Sequence, residues 1–244
     1  MTARTDLLLE LKGVHTHIGA YHILHGVDLA VPRGEVTMLL GRNGAGKTTT
    51  LRTIMGLWRA SQGSVHYAGR DITQLATPAI ATLNIAYVPE NMGIFADLTV
   101  KENLLLAARG ASHAGQMDSA RLDWIFALFP AVKKFWNHPA GKLSGGQKQM
   151  VAVARAIVEP RDLLIVDEPS KGLAPAMINN MIDAFSALKA AGCTIILVEQ
   201  NTQFAKRLGD EVAIMDNGRI VHAGRMAALA QDEALMQSLL GLSI

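Results

Sequence analysis

The chain has 244 residues, half of them hydrophobic and 5% aromatic, with 23 basic and 21 acidic side chains for a formal charge of +2. That balance leaves no electrostatic footprint for nucleic acid or an anionic membrane surface, so no nucleic-acid partner is expected. The single cysteine, Cys193, excludes an intrachain disulfide, and no stretch approaches the roughly 18 consecutive apolar residues of a membrane span.

MTARTDLLLELKG carries too short an apolar run for a signal peptide, so the expectation is a soluble, cytoplasmic protein. Residues 7 to 40 read as β structure: LLLELKGVHTHI and HGVDLAV have apolar positions at strand spacing, PRGE is a turn, and VTMLL is a short buried run. GRNGAGKT, Gly41 to Thr48, follows VTMLL and opens the helical TTLRTIMGL. It fits G-x-x-x-x-G-K-[ST]. Amides at such a helix start point at phosphates, and the helix dipole favours their charge. Gly41, Arg42, Asn43, Gly44, Ala45, Gly46, Lys47, Thr48 and Thr49 are therefore the candidate nucleotide-binding residues, Lys47 reaching the terminal phosphates and Thr48 holding Mg²⁺. A glycine-rich turn with an incidental lysine is the plain alternative, and the strand–loop–helix context argues against it.

GSVHYAGRDI reads as a further hairpin. From about 97 to 140 the pattern becomes helical, ending in the turn chemistry of NHPAGK. Its apolar faces, with Met92, Ile94 and Phe95, read as core or as a groove for a helix of another subunit. LSGGQ, Leu143, Ser144, Gly145, Gly146 and Gln147, precedes QKQMVAVARAIV, a helix expected to end at Pro160. A serine hydroxyl with free amides at a helix start can hold a phosphate without a lysine, although an ordinary N-cap looks the same.

LLIVDEPS ends an apolar run in Asp167 and Glu168, at the carboxyl edge of a parallel strand where ligands collect. Asp167 suits Mg²⁺, and Glu168 suits a base that orients the attacking water. A solvated strand end is the plain alternative. APAMINNMIDAFSALKAAG is a helix, CTIILVEQ a second buried strand, NTQFAKRLGD a helix, and EVAIMDNGRIVHAG a hairpin around Asn217–Gly218. AALAQDEALMQSLLGL reads as one closing amphipathic helix. The eight histidines, His113 among them, show no metal-ligand spacing and read as surface or strand residues.

In this order GRNGAGKT, LSGGQ and LLIVDEP resemble the Walker A, signature and Walker B segments of the ATP-binding subunits of ABC transporters, over nearly the whole chain. The resemblance implies an α/β fold of the P-loop NTPase type. It has a RecA-like parallel-sheet core, an N-terminal antiparallel β subdomain, and a helical subdomain at about 91–158 inserted in a single 1–244 domain. It also implies ATP hydrolysis in a head-to-tail dimer, with Leu143–Gln147 capping the partner's ATP. Tyr21 stands where the family stacks an aromatic on adenine, or is simply a loop tyrosine. SKGLAP stands at the family's D-loop, with Ala174 where many relatives carry Asp.

Glu90, in VPENM, takes the place of the family's glutamine near Mg²⁺ and the membrane subunit, or else points to solvent. Gln200, in VEQN, takes the place of the histidine that touches the γ-phosphate, and cannot become a cation. VPE, GLAP and VEQN together resemble the LivF-type branch serving branched-chain amino acid import. That resemblance implies membrane permease subunits, a second ATPase of LivG type or a second copy, and indirectly a solute-binding protein, with the chain peripheral on the inner membrane face. Importers of urea, amides or aromatic acids share the branch. A soluble ABC ATPase acting on ribosomes or DNA lacks support, because neither a second domain nor a long coiled-coil insertion occurs. A P-loop kinase or GTPase has no use for LSGGQ. A regulatory ATP binder that does not hydrolyse stays open at this point.

Overall fold

The computed structural model describes residues 6–108 and 117–241; His113 lies outside them. Strands β1 (Leu7–Ile18), β2 (Tyr21–Pro32), β4 (Ala60–Tyr67) and β5 (Arg70–Asp71) form an antiparallel sheet in the order β2-β1-β4-β5. A second sheet contains β3 (Val36–Gly41), β6 (Ile85–Val88), β7 (Leu163–Asp167), β8 (Thr194–Glu199), β9 (Glu211–Asp216) and β10 (Arg219–Arg225), ordered β10-β9-β3-β8-β7-β6. Every pairing in it is parallel except the β9–β10 hairpin.

The near-continuous apolar runs follow from burial on both faces. In β7, Leu163 and Ile165 face the antiparallel sheet and helix α1 (Lys47–Ile54), whereas Leu164 and Val166 face the helical side. β8 alternates likewise, with Ile196 and Val198 on the first face and Ile195 and Leu197 on the second. Two cores therefore share one sheet. The first lies under the antiparallel sheet; the second lies under α6 (Gly145–Ala156), α7 (Pro175–Ala190) and α8 (Thr202–Leu208).

The short α2 (Thr77–Ile80) precedes β6, and the chain between β6 and β7 carries α3 (Val100–Leu105), α4 (Ser119–Leu128), α5 (Pro130–Lys134) and α6. Thr99 and Glu102 cap α3 reciprocally: Glu102 N–H donates to Thr99 Oγ1 at 3.2 Å and Thr99 N–H donates to Glu102 Oε2 at 2.7 Å. Such a cap contributes about 0.5–2 kcal/mol. Asn103, fully buried, accepts from Phe95 N–H and donates to the Phe95 and Thr99 carbonyls, each at 3.0 Å, which fixes the loop leading into α3.

Two expectations are corrected. α6 stops at Ala156, short of Pro160, its last turn closing on Ile157. The closing helix is two helices, α9 (Met226–Gln231) and α10 (Glu233–Leu240), because the Asp232 carboxylate accepts from Leu235 N–H at 2.9 Å and starts a new helix there. Among the described residues no helix is long and apolar enough to cross a membrane.

Candidate functional site

The phosphate loop leaves β3 at Gly41. A β-carbon there would stand 2.2 Å from the Met215 carbonyl oxygen, so only glycine lets the loop pass the β9 edge. The loop closes through Ala45 N–H to Arg42 O at 3.2 Å, and Gly218 at the hairpin tip donates to Ala45 O at 2.9 Å. Lys47 begins α1 and folds back over the loop, donating to Gly41 O at 2.8 Å and Arg42 O at 3.0 Å. It is buried, and desolvation lowers its pKa, with Glu168, Asp167, Glu199 and Glu90 pulling the other way.

Asp167 is the last residue of β7 and is 1% exposed. Neither carboxylate oxygen accepts a well-formed hydrogen bond, and the Thr48 hydroxyl is close enough to interact with the group. Burial raises its pKa, and the nearby Thr48 hydroxyl opposes that. A buried carboxylate satisfied this poorly has lost its hydration and wants a cation. Thr48, Asp167 and Glu90 supply oxygen donors of the kind that suit Mg²⁺.

Glu168 follows with φ +51°, a left-handed conformation uncommon for a residue with a side chain. That twist turns the chain off the sheet edge, and Lys171 N–H closes the turn on Glu168 O at 3.2 Å. One carboxylate oxygen of Glu168 accepts from Gln200 Nε2 at 2.5 Å; the same amide group also donates to Asn43 Oδ1 at 2.8 Å. Gln200 thus joins the phosphate loop to Glu168. The other Glu168 oxygen lies 3.2 Å from Lys171 Nζ, which also pairs with Glu90 Oε1 at 2.5 Å.

Two contributors escaped the sequence reading. Lys171 is one. The other is Glu199, which ends β8 at 2% exposure and accepts from Ser170 N–H and Ser170 Oγ–H at 2.8 Å each, and from Gln200 and Asn201 N–H at 3.2 and 3.3 Å. Burial raises its pKa despite these donors. An acid inside VEQN and a lysine inside SKGLAP were the available signals.

A cavity of about 370 Å³ brings together Asn43 to Thr49, Glu90, Glu168 and Lys171. A second, about 430 Å³, joins Gly41, Arg42, Asn43, Glu199 and Gln200 to Leu240 and Gly241. Leu143 to Gln147 line neither. Ser144 caps α6 in the ordinary way, its Oγ accepting from Gln147 N–H at 3.3 Å while Gln147 Oε1 accepts from Ser144 N–H at 2.9 Å. A β-carbon on Gly145 would meet open space, whereas one on Gly146 would meet Met177 Cε at 2.8 Å. Gly145 is the outward-facing one of the pair, and Gly146 packs against α7.

Tyr21 is 75% exposed at the β1–β2 turn and lines neither cavity; Ile23, two residues on, lines the first. His15, His17, His22 and His25 stack along the same hairpin. Glu90 also borders a groove of about 730 Å³ with Arg52, Leu57, Trp58, Tyr87, Pro89 and Asn91.

A lysine-bearing loop at a helix start, at the carboxyl edge of a parallel sheet and beside an acidic strand end, is the arrangement of a P-loop nucleoside triphosphatase. Residues 24–171 match the family model described as ABC transporter. The chain is 38% identical over 235 residues to the high-affinity branched-chain amino acid transport ATP-binding protein BraG of Pseudomonas aeruginosa, covering 96% of this chain and 100% of that one. It is 36% identical to the probable branched-chain amino acid transport ATP-binding protein LivF of Archaeoglobus fulgidus, covering 91% and 93%.

Among solved structures, the ATP-binding subunit of an ABC transporter superposes with a TM-score of 0.78 at 30% identity, covering 93% of this chain and 94% of that one. The ADP conformation of another ABC transporter's ATP-binding cassette gives a TM-score of 0.81 at 25% identity, covering 96% and 98%. The chain belongs to the ABC transporter family. It is an ATP-binding ATPase subunit whose hydrolysis drives transport through membrane permease partners.

Proposed function

We propose that the chain powers import of branched-chain amino acids, as one of two ATPase subunits facing each other on the inner face of the cell membrane. The observation that carries the dimer is the placement of Leu143–Gln147. These residues are exposed at Ser144 and Gly145 and lie outside both cavities around the chain's own phosphate loop. A cradle that does not reach its own nucleotide suits the partner's. The free amides at the start of α6 then meet the γ-phosphate held by the opposite Lys47. The counterpart is a LivG-type ATPase or a second copy, and a solute-binding protein delivers cargo to the permeases.

Within one half-site, the loop amides of Gly41–Gly46 with Lys47, Thr48 and Thr49 hold the phosphates, and Tyr21 carries the adenine. Thr48, Asp167 and Glu90 hold Mg²⁺, which when bound neutralises phosphate charge and polarises the γ-phosphoryl group. Glu168 accepts a proton from the attacking water. Gln200 keeps that carboxylate in register with the phosphate loop through Asn43 and offers its amide N–H to the γ-phosphate. Positioning and fixed charge supply most of the rate.

The helices from about 91 to 158 act as one inserted subdomain, and Glu90 reports between the nucleotide cavity and the groove containing Leu57 and Trp58. With Met92, Ile94 and Phe95, that groove is the docking place for a permease helix. The cargo reading rests on the likeness to the BraG and LivF proteins. Cells lacking the chain should lose uptake of labelled leucine, isoleucine and valine, and Glu168→Gln should fail to restore it. Normal leucine uptake with lost urea or amide uptake would assign the chain to another importer of the branch.

A further inference from the structure

We propose that Lys171 is a positioning residue that links Glu90 to Glu168, so that the state of the groove beside Glu90 is felt at the hydrolytic carboxylate. The inference rests on the hydrolytic reading given above.

Three carboxylates, Glu90, Asp167 and Glu168, converge on one cavity and the floor beneath it. Among the described residues lining that cavity, the cations are Lys47 and Lys171. Lys47 is committed to the Gly41 and Arg42 carbonyls. Gln200 brings no charge. Lys171 is therefore the cation that pairs directly with two of the acids, at 2.5 Å from Glu90 Oε1 and 3.2 Å from Glu168 Oε2.

Its place follows from the turn. The left-handed Glu168 reverses the chain, the Lys171 amide closes on the Glu168 carbonyl, and Glu199 clamps the intervening Ser170 by backbone and hydroxyl. The ammonium consequently falls back onto the carboxylate three residues earlier. Glu168 is then held on both oxygens, by Gln200 on one and Lys171 on the other.

The two halves of the bridge differ in exposure. Side-chain exposure is 59% for Lys171 and 49% for Glu90, against 10% for Glu168. The Glu90 half is well screened by solvent and easily exchanged, while the Glu168 half is the more persistent. A partner or Mg²⁺ that draws Glu90 away leaves Lys171 wholly to Glu168.

The test compares the wild type with Lys171→Met, Lys171→Arg, Glu90→Gln and the double variant Lys171→Met/Glu90→Gln, each purified with its copurifying membrane subunits. Phosphate release gives kcat and KM. Binding of a fluorescent ATP analogue in EDTA gives a readout independent of turnover, and thermal melting checks folding. Lys171→Met should lower kcat about two- to fivefold, the size of an exposed ion pair, with analogue affinity and melting unchanged. Lys171→Arg should recover most of the loss. In the double variant the loss should be smaller than the product of the single losses, because the bridge is already cut.

Unchanged kcat in Lys171→Met, a loss confined to KM, or multiplicative losses in the double variant would each overturn the link. A wild type that releases no phosphate above Glu168→Gln would instead overturn the hydrolytic reading and this inference with it.

Discussion

Removing the Ser170 hydroxyl should weaken the fold measurably, and more so at neutral than at acid pH. Ser170 is 6% exposed, and its hydroxyl is one of four donors on the buried Glu199 carboxylate. A hydrogen bond to a charged acceptor contributes about 1.5–3 kcal/mol. In a chain of this size that predicts a fall in Tm of about 3–12 °C for Ser170→Ala. In the Glu199→Gln background the acceptor is neutral, and the same deletion should cost only about 0.5–1.5 kcal/mol.

The sign of the pH dependence follows from burial. Glu199's folded-state pKa lies above its unfolded value, so its own contribution is full below the unfolded value and is lost as pH rises through the folded one. The Ser170 hydroxyl favours the ionised form and opposes that loss. The cost of Ser170→Ala should therefore grow over the same window. Urea unfolding followed by circular dichroism from about pH 5 to about pH 8 measures it. A cost that is flat with pH, or equal in the Glu199→Gln background, would refute the reasoning.

Asp167→Asn should stabilise the fold in EDTA at neutral pH by about 1–3 kcal/mol, seen as a higher melting temperature, because it removes a buried carboxylate that lacks a well-formed hydrogen bond. Its raised pKa means that the wild type loses stability as pH climbs above the ordinary carboxylate range, a slope that the asparagine variant lacks. The same variant should gain less than the wild type from Mg²⁺ added with nucleotide, as read by calorimetry. Gly145→Ala has room for its methyl and should melt within about 0.5 kcal/mol of the wild type, yet lose roughly tenfold or more in phosphate release by the assembled dimer. Gln200→Ala cuts the amide that joins Asn43 and Glu168 and should lower kcat roughly tenfold or more; unchanged turnover would remove Gln200 from the site.

The phosphate loop and the Asp167–Glu168 strand end were legible in the sequence because each is a local device: a strand, a tight loop and a helix start, or an apolar run that stops at an acid. Lys171 and Glu199 were not, although both sit inside quoted motifs. Lys171 meets Glu168 only because the backbone of Glu168 takes a left-handed turn. Glu199 meets Ser170 only because β7 and β8 are neighbours in the sheet. Periodicity also misread the end of the chain, where the capping carboxylate of Asp232 divided a continuous apolar stripe into two helices. The two glycines of LSGGQ look alike in the sequence, and only the packing of Met177 against Gly146 separates them.

Helix α6 has one further property. Its first turn carries the exposed Ser144 and Gly145, and near its last turn the Arg155 guanidinium grips the carbonyls of Gly93 at 2.7 Å and Met92 at 3.0 Å. Twelve helical residues make a stiff strut about 18 Å long. Arg155 thereby ties the strip just after Glu90 to the same rigid element whose front turn carries Ser144, so the two segments are braced against one another through a single helix.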